Sequence, residues 1–200
     1  MKGTILALAT LLVLPAVATA QEPAPQATAQ ATAASVLDDS GVLAIFDGAN
    51  RRDLETSMIA VERAKDSRVR QLATRFVNEH MALRRQGQQL GSTLQLYPKR
   101  EFDAVGMEKH GQAVASLKQV PAEQFDAAWL DHEIAAHAAT LEATQNTLLA
   151  AVTKPEVRAL LEQAAPAFEA HLAAARDLKA SLGGTPTPAE EEPASGVGGR

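Results

Sequence analysis

The chain has 200 residues, 46% of them hydrophobic and 22% charged, which suits one globular domain with its own core and leaves little room for a second. The formal net charge is -5, with 19 Lys and Arg interleaved among 24 Asp and Glu, and this argues against nucleic acid as a partner. There is no cysteine, so disulfides, thiol chemistry and a lipidated cysteine anchor are excluded and stability rests on packing.

The amino terminus carries Lys2, then an apolar run from Ile5 to Val17 broken only by small residues and Pro15, then Ala18-Thr19-Ala20 before Gln21. That is the pattern of a cleavable signal peptide over residues 1–20, too short for a membrane span, and it predicts a periplasmic or extracellular protein. No other stretch is apolar enough to cross a bilayer. Residues 21–36, rich in Ala, Thr, Gln and Pro, read as a disordered linker, and residues 183–200, with their Pro, Gly and Glu190 to Glu192, as a disordered acidic tail.

Residues 37–182 are helical in period almost throughout. The first helix is expected from about Asp39 to Ala64, capped by Asp38 or Asp39, with Leu54, Met58 and Val61 on its buried face and Ile59 beside them. The second starts with Ser67 as N-cap and carries Val69, Leu72, Phe76, Leu83, Leu90 and Leu94 at steps of three and four, with His80 in the gap. A long crossover follows, with one short helical run near Val105 to Lys118. Pro121 suits the first turn of the third helix, whose stripe is Leu130, Ile134, His137, Leu141 and Leu148. The fourth is expected to begin with Thr153 as N-cap, Pro155 and Glu156 in a capping box, and to bury Val157, Leu161, Ala164, Phe168, His171, Ala175 and Leu178. Pro166 is expected to kink it, and Gly183 to end it. Phe125 and Trp129 read as packing residues.

Two helical hairpins joined by a long crossover containing a short helix is an all-α, ferritin-like four-helix bundle. A crossover that spans the bundle makes the second and third helices parallel. His80 and His137 then lie about fourteen and sixteen residues along, nearly level at ~1.5 Å rise per residue, and His171 falls within about a turn of them.

The block from Val69 to His80, the block Phe125-Asp126-Ala127-Ala128-Trp129-Leu130 followed by His137, and Phe168-Glu169-Ala170-His171-Leu172 together resemble domain-of-unknown-function family 4142. The resemblance spans about Leu37 to Leu182. It implies export and a ferritin-like fold and supplies no activity. Carried onto this chain, it also implies that Glu55, His80, His137 and His171 are the recurrent polar positions.

Di-iron carboxylate bundles use Glu-x-x-His on two helices. Here Val77 stands three before His80 and Phe168 three before His171, so a ferritin-type di-iron centre is not expected. Three imidazoles and one carboxylate suit a single transition-metal ion, Fe, Zn, Cu or Ni. Glu133 or Glu142 could replace Glu55 as the carboxylate, while His132 and His110 are expected off the site. Such a domain would serve metal handling or protection from oxidants in the cell envelope. The competing expectation is a non-enzymatic structural or interaction module, with histidines hydrogen-bonded to Glu55, Asn50 or water as a core network. Nothing forms a nucleophile elbow or a phosphate loop.

Overall fold

The computed structural model describes residues 36–182, and the signal-peptide pattern, the linker up to Ser35 and the acidic tail lie outside the described residues. Helices α1 (Asp39–Arg63) and α2 (Ser67–Thr93) form the first hairpin. A 3₁₀ turn, Arg100–Asp103, leads into α3 (Ala104–Gln119), which packs along α1 as the crossover. A second 3₁₀ turn, Ala122–Gln124, opens α4 (Phe125–Ala143), which runs through a π-helical turn, Thr144–Leu148, into the short α5 (Leu149–Ala151). Helix α6 (Pro155–Leu182) completes the second hairpin, and there is no strand among the described residues.

Two carboxylates tie the hairpins together. Asp39 at the start of α1 accepts the amides of Thr153 and Lys154, each at 3.1 Å, and Asp126 on α4 accepts those of Lys65 at 3.0 Å and Asp66 at 2.7 Å. The starts of α1 and α6 therefore meet at one end and the starts of α2 and α4 at the other. Helices α2 and α4 are parallel, as the long crossover requires.

The helix ends correct several expectations. Asp38 caps α1 by accepting the Gly41 amide at 2.9 Å. For α2 the cap is Asp66, which accepts the Arg68 amide at 2.7 Å while its own backbone stays extended, so Ser67 becomes the first helical residue. Thr153 donates its hydroxyl to Asp39 and is a tie between hairpins. Pro121 precedes the 3₁₀ turn, and α4 begins only at Phe125. Beyond the end of α2, Gln95 at φ 56° closes the helix, with Leu96 N–H bonded to Gly91 O and Gln95 N–H to Ser92 O, a Schellman closure without glycine.

The largest correction concerns the face of α1. Met58 is 54% exposed and Val61 38%, so the apolar stripe read from sequence points outward. The buried line is instead Val42, Phe46, Asn50, Asp53, Ser57, Ala60 and Ala64, stepping by three and four with polar residues at its centre. The other helices follow the sequence more closely: Val69, Leu72, Phe76 and His80 on α2, and Phe125, Trp129, Leu130 and His137 on α4, are buried. Gly87 lets α2 approach α1, since a Cβ there would come within 2.9 Å of the Phe46 ring.

The core is two apolar clusters. One gathers Ile59, Leu72, Phe76, Leu117, Phe125, Trp129, Leu130 and Ala175, and the other Val42, Leu43, Phe46, Leu148, Val157, Leu161 and Phe168. On α1, α2, α4 and α6 alike, the residues between the two sets are polar: Asn50 and Asp53, His80, His137, and His171. Pro166 sits inside α6, yet the helix continues past it and His171 keeps its place in this layer.

Candidate metal centre

Each of the three layer histidines is at most 2% exposed, and their nitrogens meet. His137 Nε2 lies 3.3 Å from His80 Nε2 and 3.2 Å from His171 Nδ1. The Asp53 carboxylate completes the group, with Oδ1 3.1 Å from His80 Nε2 and Oδ2 3.6 Å from His137 Nε2. The three imidazole atoms lie within 4.8 Å of one another, as do ligand atoms of Asp53, Glu133 and His137.

The partners of the outward-facing nitrogens decide what faces inward. Asn50 donates its Nδ2 to Phe46 O at 2.8 Å, which leaves Asn50 Oδ1 as the acceptor 2.9 Å from His80 Nδ1. His80 therefore carries its proton on Nδ1. His137 Nδ1 lies 3.0 Å from the backbone carbonyl of Glu133 and so donates there. His171 Nε2 donates to Glu79 Oε2. A neutral imidazole has one donor and one acceptor, so His80 Nε2, His137 Nε2 and His171 Nδ1 are three lone pairs aimed at one another and at a carboxylate. Acceptors alone do not attract; the arrangement calls for a cation or a proton between them.

Burial favours the neutral form of His80 and His137. Burial, with the neighbouring His171 adding to it, pushes His80 down to about 3, and burial pushes His137 down to about 4 although Asp53 pulls the other way. Burial together with the Asp53 charge raises the Glu133 carboxyl well above the usual range. Glu133 is fully buried; its Oε1 lies 3.1 Å from Thr56 Oγ1 and its Oε2 has no hydrogen-bond partner. Ser57 donates to Asp53 Oδ1 at 3.2 Å, which orients that carboxylate. Aromatic rings close the layer: Phe76 lies 4.4 Å from the His171 ring by centroids, and Phe168 stacks on His80 at 5.9 Å.

The structure brings His80, His137 and His171 together and leaves Glu55 out. Glu55 is two residues from Asp53, about 200° round α1, so its half-exposed side chain turns to α3, where Oε2 lies 2.8 Å from His110 Nε2. Glu142 is exposed, and Glu133 stands beside His137 with Oε2 3.5 Å from Nδ1. The carboxylates that sequence reasoning missed are Asp53 and Glu79. Asp53 was detectable by continuing the steps from Val42 and Phe46 through Asn50. Glu79, immediately before His80, points about 100° away from it, toward α6.

A cavity of about 450 Å³ opens beside the layer between α1, α3 and α4. Its walls include Ile45, Ala113, Ala136 and Leu148, and it reaches Asp53, His80 and His137.

A family model described as "Domain of unknown function (DUF4142)" matches residues 22–178. Among solved structures, a DUF305 fragment from Deinococcus radiodurans is similar at TM-score 0.63 and 20% identity, covering 72% of this chain and 96% of that one. A DUF305 protein from Streptomyces coelicolor, described as a "putative secreted protein", is similar at TM-score 0.62 and 15% identity, covering 74% and 96%. At these identities the likeness concerns the fold. No curated protein matches the chain.

Proposed function

The chain belongs to the DUF4142 family, and we propose that it is an exported, ferritin-like domain that holds one transition-metal ion through His80 Nε2, His137 Nε2 and His171 Nδ1, with Asp53 as the carboxylate. The observation that carries this reading is the set of three convergent lone pairs, each fixed because the other ring nitrogen donates to Asn50, the Glu133 carbonyl or Glu79. Outward donation of this kind is how metal-ligating histidines are oriented. The spacing supports it too. Metal–nitrogen bonds of ~2.0–2.1 Å at tetrahedral angles separate donor atoms by about 3.3 Å, and the nitrogen pairs here stand at 3.2 and 3.3 Å.

Imidazoles with a carboxylate suit Zn, Cu, Fe or Ni. Val77 and Phe168 occupy the positions from which a ferritin-type di-iron centre draws its carboxylates, so the reading is mononuclear. The role that fits is metal holding or handling in the cell envelope. Export rests on the residue 1–20 pattern, and no described helix is long and apolar enough to cross a membrane.

A second reading has one observation in its favour: a proton shared between His80 Nε2 and Asp53 Oδ1, 3.1 Å apart, would make the layer a structural network. Elemental mass spectrometry separates the two. Protein purified without a histidine tag from an export compartment should carry close to one ion per chain, and the His80→Ala, His137→Ala double variant none. A parent that is metal-free and refuses added Zn, Cu and Fe would overturn the metal reading and leave the network.

A further inference from the structure

All five histidines of this chain gather in one place. Three form the layer, and His110 and His132, which that layer does not use, both line the cavity whose floor is Asp53, His80 and His137. His110 is 6% exposed on α3 and its Nε2 lies 2.8 Å from Glu55 Oε2. The Glu55 carboxylate is 52% exposed, so this pair joins solvent to the cavity. His132 is half-buried on α4, one helical turn before Ala136 and facing the same space.

An ion bound for the layer must shed water on the way to donors that are at most 2% exposed. Aromatic and aliphatic side chains of the two core clusters pack the layer from both ends of the bundle, so the cavity is the approach that already reaches it. A path that offers replacement ligands in steps lowers the cost of that dehydration. The charges along it are compatible with a cation. Arg52 is taken up by Asp103, which leaves Lys109 on the wall against Glu55 and Asp53.

Resting on the metal reading above, we infer that the cavity is the port through which a divalent transition-metal ion loads, with Glu55 and His110 as a capture pair at its mouth and His132 as a transit ligand before Asp53. Burial keeps His132 neutral and able to donate a lone pair, and Asp53 is near enough to act on it in the opposite sense. The roles divide cleanly: Asp53 and the layer histidines hold the ion at equilibrium, and Glu55, His110 and His132 govern how fast it arrives.

Stopped-flow loading with Co(II) alone, followed by the visible absorbance of the bound ion, tests this. His110→Ala, His132→Ala and Glu55→Gln should each slow association about tenfold. Stoichiometry, final spectrum and Kd should match the parent, so dissociation slows in step. Ala113→Phe, which narrows the cavity without touching a ligand, should also slow loading, and it serves as the check where a histidine variant melts early. Equal loading rates in parent and all four variants would overturn the inference and leave the metal site standing. An altered final spectrum or stoichiometry in a port variant would overturn it too, since that residue would then be a resident ligand or support. A parent that takes up no Co(II) would overturn both readings.

Discussion

Acidification offers a quantitative test of the buried layer, because its groups titrate in opposite senses. In metal-free protein, His80 is held at about 3 and His137 at about 4, against about 6.5 in the unfolded chain. Both folded-state values are depressed, so this contribution to stability is fully present above pH ~6.5 and is lost as pH falls below it, where the unfolded chain binds protons that the folded one refuses. Between pH 7 and pH 5 each histidine costs about 2 kcal/mol, about 4 kcal/mol together. Glu133 runs the other way. Its folded carboxyl is raised and keeps a proton that the unfolded chain releases above pH ~4.5, so it makes the fold relatively more stable as pH falls toward that value. Glu133→Gln removes that one opposing proton. The variant should be the more stable at neutral pH, and its stability should fall more steeply than the parent's on acidification from neutral pH toward pH ~5. His132, lowered by burial as well, acts alike in both proteins and cancels from the difference. The assay is urea unfolding in chelator across this range, with the slope of stability against pH read for each protein. Parallel curves would refute the argument, because they would mean that Glu133 carries the same charge folded and unfolded.

Four further outcomes follow from the same contacts. Asn50→Leu and Glu79→Gln each weaken the acceptor that fixes a histidine tautomer and should lower metal affinity about 10–100-fold by equilibrium titration, while Glu142→Gln should leave it unchanged. A saturating ion at about 100 times its Kd should add about 2.7 kcal/mol, raising Tm by about 5–11 °C in a thermal melt, and the rise should vanish in Asp53→Asn with His137→Ala. Gln95→Gly should stabilise the protein by about 1 kcal/mol in urea titration, since φ 56° strains any side chain. Gly48→Ala should cost about 1–3 kcal/mol in the same assay, because its Cβ would lie 2.1 Å from Oδ2 of Asp103, a carboxylate that Arg52 holds through its other oxygen, Oδ1.

The all-helical architecture and the pairing of its hairpins were legible from residue spacing alone. The steps of three and four through Val69, Leu72, Phe76 and His80, and through Val157, Leu161, Ala164, Phe168 and His171, admit no other period, and the long segment between Gln95 and Val120 leaves α2 and α4 parallel. That geometry already brings His80, His137 and His171 to similar heights, because rise per residue is the same in every helix. The buried face of α1 and the identity of the carboxylate came instead from packing between helices. Hydrophobic pattern pointed to Leu54, Met58 and Val61, yet Asn50, Asp53 and Ser57 are the buried ones. A polar residue enters a core only where partners wait on other helices, and His80 and His137 are those partners for Asn50 and Asp53. Glu55 and Glu79 stay half-exposed and reach the buried rings of His110 and His171 from the surface, contacts equally set by the neighbouring helix. Periodicity records what each helix avoids, water on its apolar face, and the polar contacts between helices become visible only once the helices are packed.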